Sequence, residues 1–145
     1  MVCAQVTSTG RGGNMAKVDS LDHLVLTVSN IPKTLAFYCD ILGMQAEEFH
    51  PKDGSTRWAL KFGQQKINLH QAGQEFLPKA HVPQPGSADL CFLSATPIAD
   101  WQQHLQRLGQ EVIEGPVQRT GATGPILSVY LRDPDQNLIE ISQQL

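Results

Sequence analysis

The chain has 145 residues, 41% of them hydrophobic and 17% charged, with a formal net charge of -3. That length suits one compact domain, or two very small modules sharing a core, in an ordinary globular protein. A slightly acidic chain offers no electrostatic reason to bind nucleic acid or an anionic membrane, and no apolar run approaches the roughly 18 residues of a membrane span.

From the N-terminus, residues 1–20 read as a disordered tail. Met1 to Lys17 holds Ser, Thr and Gly, two basic residues and no acid, and lacks the apolar stretch of a secretory signal. Mitochondrial targeting is the alternative that this composition allows, and Met15 is a second candidate start. Cys3, Cys39 and Cys91 have no metal-type spacing and cannot all pair, which points to a reduced, cytoplasmic setting.

The remaining elements come in two matching sets. Laid without a gap over Ser87 to Glu114, Leu21 to Glu48 places Leu24 on Leu90, Leu42 on Leu108 and Gly43 on Gly109. Each half opens on a strand, Leu24–Val28 or Leu90–Leu93. Each then passes a cap and a proline, Asn30 with Pro32 or Thr96 with Pro97. A helix follows, with Leu35, Tyr38 and Leu42 in the first and Trp101, Leu105 and Leu108 in the second on one face. Each helix stops at a glycine suited to the left-handed position, Gly43 or Gly109.

Three more strands follow each helix. In the first half they are Met44–Phe49, Trp58–Phe62 and Lys66–Gln71; in the second, Gln110–Glu114, Leu127–Arg132 and Leu138–Ser142. Arg119–Pro125 reads as a loop. The order is therefore βαβββ twice: module one at 21–75, a proline-stiffened linker at 76–86 and module two at 87–145. One face of each four-stranded sheet packs on its own helix, and the other needs a partner. The fold class is α+β, with two βαβββ modules pairing into a half-open barrel.

The openings LDHLVLTV and SADLCF, the phrase FYCDILGM, the stretch FGQQKINLH and the ending YLRDPDQNLIEIS resemble the vicinal oxygen chelate superfamily. That superfamily includes glyoxalase I, extradiol dioxygenases, fosfomycin-resistance thiol transferases and bleomycin-binding proteins. The stretches PKAHVPQPGSADLCF and RTGATGPILSVY are most similar to the glyoxalase domain-containing group.

Strand alternation sorts the faces. Leu24, Leu26, Val28, Leu90, Phe92, Ile139 and Ile141 turn to the helices. His23, Asn68, His70, Asp89, Cys91 and Glu140 turn the other way. The repeat matches His23 to Asp89 and Asn68 to Glu140, the positions where the resemblance implies metal ligands. His23 and Glu140 fit that pattern directly. Asp89 stands where a histidine is common, and Asn68 where glyoxalase I has a glutamate. His70, roughly 7 Å beyond Asn68 along the strand, is the substitute ligand.

The resemblance thus implies a divalent metal ion (Fe, Mn, Zn or Ni) on His23, His70, Asp89 and Glu140, with Glu140 also moving a proton. Arg119, Asn68 and Cys91 are the expected substrate-binding residues, Arg119 suiting a carboxylate or phosphonate. Three functions follow: a metal-dependent lyase- or isomerase-like enzyme, an iron(II) ring-cleaving dioxygenase using His23, His70 and Glu140, or a non-catalytic binding module. The expected partner is a small-molecule substrate, and a homodimer is allowed.

Overall fold

The computed structural model describes residues 15–145. Most of the expected tail therefore lies outside the described residues. Met15–Asp22 is exposed and carries no regular structure. The first module runs β1 (His23–Val28), α1 (Ile31–Ala36), a π-helical turn over Phe37–Ile41, β2 (Gln45–Phe49), β3 (Arg57–Phe62) and β4 (Gln65–Gln71). The second runs β5 (Asp89–Leu93), α2 (Ile98–Arg107), β6 (Glu114–Thr120), β7 (Pro125–Arg132) and β8 (Leu138–Gln144).

The two sheets share one topology, β1-β4-β3-β2 and β5-β8-β7-β6, and neither closes on itself. In each, the first strand pairs in parallel with the last and the other pairs are antiparallel. The expected α+β class and the doubled βαβββ order are found.

Why these elements form is clear at their ends. Asn30 caps α1 by accepting from the Lys33 amide at 2.9 Å, ahead of Pro32 in the first turn. Gly43 and Gly109 follow the helices with φ of 76° and 67°. Thr96, expected to cap α2, does not: the Ile98 amide donates instead to Gln143 Oε1 on β8 at 2.9 Å. Leu108, expected on the buried face, is 50% exposed because α2 stops one residue before it.

One strand lies elsewhere than expected. Gln110–Ile113 is irregular, and β6 occupies Glu114–Thr120, through the segment that Gly115 and Pro116 mark as a breaker. A proline cannot donate to a ladder, but β6 is an edge strand, and a register shift between Glu114 and Val117 absorbs the residue. Arg119 and Thr120 thus belong to a strand rather than to a loop.

The helix-side faces of both sheets meet in one core. Leu26, Val28, Tyr38, Leu60, Ile67 and Leu69 join Ile98, Leu105, Val129, Leu131, Ile139 and Ile141 in a single buried cluster. Leu24, Leu90 and Phe92 pack partly buried against it, as the alternation required. Each fully buried aliphatic side chain contributes about 1.5–3 kcal/mol. Phe62 and Phe92 touch edge to face across the modules, centroids 5.3 Å apart. Among the described residues, no helix is long and apolar enough to cross a membrane.

Candidate functional site

On β8, alternation sends Ile139 and Ile141 into the core and leaves Glu140 and Ser142 on the open face of the second sheet. Cys91 on β5 and Tyr130 on β7 flank Glu140 in the ladder, and Ser128 stands opposite Ser142. The buried hydroxyls of Ser128 and Ser142 donate to Glu140 Oε2 at 2.6 and 3.3 Å. No serine donor reaches Oε1. Cys91 Sγ lies 3.2 Å from Ser142 Oγ.

On the far side of Tyr130, Arg119 Nε donates to the phenol oxygen at 3.1 Å, and Arg119 Nη2 donates to Glu114 at 3.0 Å. A cavity of about 480 Å³ opens over this network, bounded by Cys91, Leu93, Arg119, Tyr130, Glu140 and the turn at Gly121–Thr123. Burial and the Glu140 charge push the Tyr130 phenol up, so it keeps its proton at neutral pH. Burial likewise raises the Cys91 thiol, with the Glu140 charge adding to it, which makes Cys91 a poor nucleophile.

Glu140 has no cationic partner among the described residues. Arg132 donates to the Gln136 carbonyl at 3.2 Å, and Lys61 pairs with Glu47 at 3.3 Å. Its neighbours are neutral hydroxyls, so its charge stays uncompensated at the cavity floor.

The first sheet carries the other candidates. His23, exposed at the start of β1, places Nδ1 2.8 Å from Asp22 Oδ2. A carboxylate only accepts, so Nδ1 donates and a neutral ring keeps its Nε2 lone pair free. Asn68 Oδ1 is buried with no hydrogen-bond partner. Such an orphan marks a missing donor or cation. His70 sits under the linker in a separate cavity of about 220 Å³, with Val25, Thr27 and Lys79. Its ring meets Phe76 edge to face at 5.5 Å, and the Arg57 guanidinium lies 3.8 Å over that same Phe76. Desolvation, then the Arg57 charge, hold the His70 imidazolium below its usual range.

The ladders decide which candidates meet. His23 pairs with Lys66 and Val25 with Asn68, so His23 and Asn68 are diagonal neighbours, roughly 7–8 Å apart at Cα. Asp89 pairs with Leu138 and Cys91 with Glu140, which gives Asp89 and Glu140 the same relation on the second sheet. His70 pairs with Thr27, four residues from His23. At about 3.3 Å per residue that is roughly 13 Å, too far to share an ion with bonds of about 2.0–2.2 Å.

Among the described residues, no three His, Cys, Asp or Glu side chains gather as a set that holds a cation. Within one chain, then, His23, His70, Asp89 and Glu140 do not form one ligand set. The expected shared pocket is divided: the larger cavity is lined by the second module alone, the smaller by the first module and the linker. By type, one imidazole, two carboxylates and an amide oxygen suit a divalent cation. By placement, they do so only if a first-sheet face meets a second-sheet face.

Strand alternation in β8 already puts Ser142 on the Glu140 face, whereas Tyr130, Ser128 and Glu114 are not singled out by the sequence. Alternation in PILSVYLR turns Ser128 and Tyr130 away from Leu127, Val129 and Leu131, and a tight turn at Asp133–Asn137 brings Tyr130 opposite Glu140. That signal was present once β7 and β8 were read as a hairpin.

Comparison with known proteins places this geometry. The family model described as the Glyoxalase/Bleomycin resistance protein/Dioxygenase superfamily matches residues 20–141. The chain is 62% identical over 125 residues to the Glyoxalase domain-containing protein RDO1 of Mycosarcoma maydis, covering 86% of this chain and 68% of that protein. It is 57% identical over 126 residues to the virulence protein STM3117 of Salmonella typhimurium, covering 87% and 85%. The crystal structure of that virulence protein superimposes with a TM-score of 0.82 at 55% identity, over 90% of this chain and 100% of the other. TnmS3, an antibiotic binding protein from a Streptomyces species, shares the fold at 19% identity and a TM-score of 0.69, over 90% of this chain and 100% of the other.

Proposed function

This chain belongs to the Glyoxalase/Bleomycin resistance protein/Dioxygenase superfamily, and on that premise we propose that it is a metal-dependent, glyoxalase-like enzyme acting on a small oxygen-rich substrate. The observation that carries the reading is Glu140, a carboxylate on the floor of a 480 Å³ cavity with only neutral hydroxyls as its bonded neighbours. Such a group is left for a cation, a proton, or both. We assign His23, Asn68, Asp89 and Glu140 as the residues that hold a divalent ion. Because one chain keeps them on separate faces, a second copy brings the first-sheet pair to the second-sheet pair.

When bound, the ion supplies Lewis-acid stabilisation of charge on neighbouring substrate oxygens. The chain's own residues do the rest. Ser128 and Ser142 fix Glu140 Oε2 and leave Oε1 as the atom that takes a proton from the substrate and returns it. Tyr130, kept protonated, offers a hydroxyl beside that carboxylate, and Leu93 and Ile126 keep one wall of the cavity apolar. We place the protein in the cytoplasm, where Cys39 and Cys91 stay free.

Of the two other readings, the ring-cleaving dioxygenase is disfavoured by the His23–His70 separation along β1 and β4. The binding module without chemistry draws support from the scattering of His23, His70, Asp89 and Glu140, no three such side chains gathering among the described residues of one chain. Metal analysis of the purified protein separates them. The expected result is a bound divalent ion, weakened at least roughly ten- to hundredfold in Glu140→Gln and His23→Ala. Asn68→Ala should weaken it less, and His70→Ala should leave it. Undiminished affinity in both Glu140→Gln and His23→Ala would overturn the assignment and put the binding module first.

A further inference from the structure

The cavity over the second sheet carries one cation, Arg119, and its guanidinium is already aimed. Tyr130 accepts from Nε and Glu114 from Nη2, which fixes the plane of the fork across the cavity mouth. Those two bonds leave the Nη1 pair and the second Nη2 proton unused, an edge with the spacing of a carboxylate or phosphonate. The neighbouring wall is apolar, formed by Leu93, 60% exposed as the monomer stands, and by Ile126. An exposed leucine and a fixed guanidinium lining one cavity suit a ligand with an apolar body and an anionic end. Glu140 stands across the β7–β8 ladder from Tyr130, whose hydroxyl holds Arg119, so the two charges flank that tyrosine and an anion is drawn to Arg119 and turned away from the carboxylate.

We propose that this cavity selects small organic anions, with Arg119 reading the anionic group and Leu93 and Ile126 holding the apolar body. This rests on the reading of the site above, and it narrows the substrate class to acids that place their reactive carbon toward Glu140. Glu114 is the built-in competitor: the ligand's anion shares or displaces its bond to Arg119.

The test uses the full chain and benzoate, phenylphosphonate and the neutral benzamide as calorimetric probes, with and without chelator treatment. The two anions should bind and benzamide should not. Arg119→Gln should lose roughly tenfold or more in anion affinity, whereas Arg119→Lys, which keeps the charge without the fork, should lose less. Arg132→Gln, a cation lost outside the cavity, should bind as the unaltered protein does. Anion binding that persists after chelation and depends on Arg119 upholds the proposal even if no metal is found. Anion binding abolished by the chelator and indifferent to Arg119→Gln overturns it, because the anion then sits on the metal. Equal affinity for benzamide and benzoate also overturns it.

Discussion

His70 shows how a local environment decides a residue's part. Its ring lies beneath the linker, faces Phe76 and feels Arg57, so protonation is held back. An unfolded histidine titrates near about 6.5. With the folded value lower, the unfolded chain binds more protons between the two. The contribution is therefore complete above about 6.5 and is lost as pH falls through the folded value. In chelator-treated protein, the urea midpoint of His70→Gln should fall less steeply than that of the unaltered chain as pH drops below about 6.5. Identical slopes would mean that His70 is as well solvated in the folded state as in the unfolded one. The same neutrality keeps a ring nitrogen available to a ligand in the smaller cavity, where it acts as a wall residue rather than as a partner of His23.

Between elements, the turn that joins β7 to β8 sets the register that puts Tyr130 beside Glu140, and it is tied to the first module. Tyr38, buried in the π-helical turn, donates to Asp133 Oδ2 at 2.8 Å. Asp133 also accepts from the amides of Asp135 and Asn137 at 2.9 Å each and from Asn137 Nδ2 at 2.8 Å. Asn137 Oδ1 accepts from the Ala88 amide at 2.9 Å, which pins the start of β5. Gly86, with φ of 84°, passes where an added Cβ would stand 2.7 Å from the Asp135 carbonyl oxygen. Only glycine fits that crossing. Tyr38→Phe removes one donor from a buried carboxylate and should cost about 1.5–3 kcal/mol in urea unfolding. A loss below a few tenths would show that the turn holds itself without the first module.

For the molecule as a whole, the open faces of the two sheets each carry half of the proposed ligand set. Under twofold symmetry, the first-sheet face of one copy meets the second-sheet face of the other twice. The proposed dimer should therefore be visible by sedimentation at micromolar concentration. It also predicts complementation. His23→Ala and Glu140→Gln should each bind metal weakly, but a mixed dimer should rebuild one intact site from the two sound halves. Refolding the two together should restore about a quarter of the full capacity, since half the dimers are mixed and each carries one good site. No recovery in protein that does dimerise would place the site within a single chain.

Much of this was legible along the chain. The repeat, the capping Asn30, the stops at Gly43 and Gly109 and the alternation of Ile139, Glu140 and Ile141 are local patterns. Burial and backbone geometry leave them few alternatives. They determined two βαβββ modules, which side chains reach the core and that Glu140 lies on an open face. The tertiary structure decided what depends on pairing and distance: the edge position that lets β6 run through Gly115 and Pro116, the ladder steps that part His23 from His70, and the cross-strand placement of Tyr130 and Arg119 at Glu140. Those follow from strand register and from the docking of one module on the other, which no single segment encodes, because each is set by contacts between residues distant in sequence.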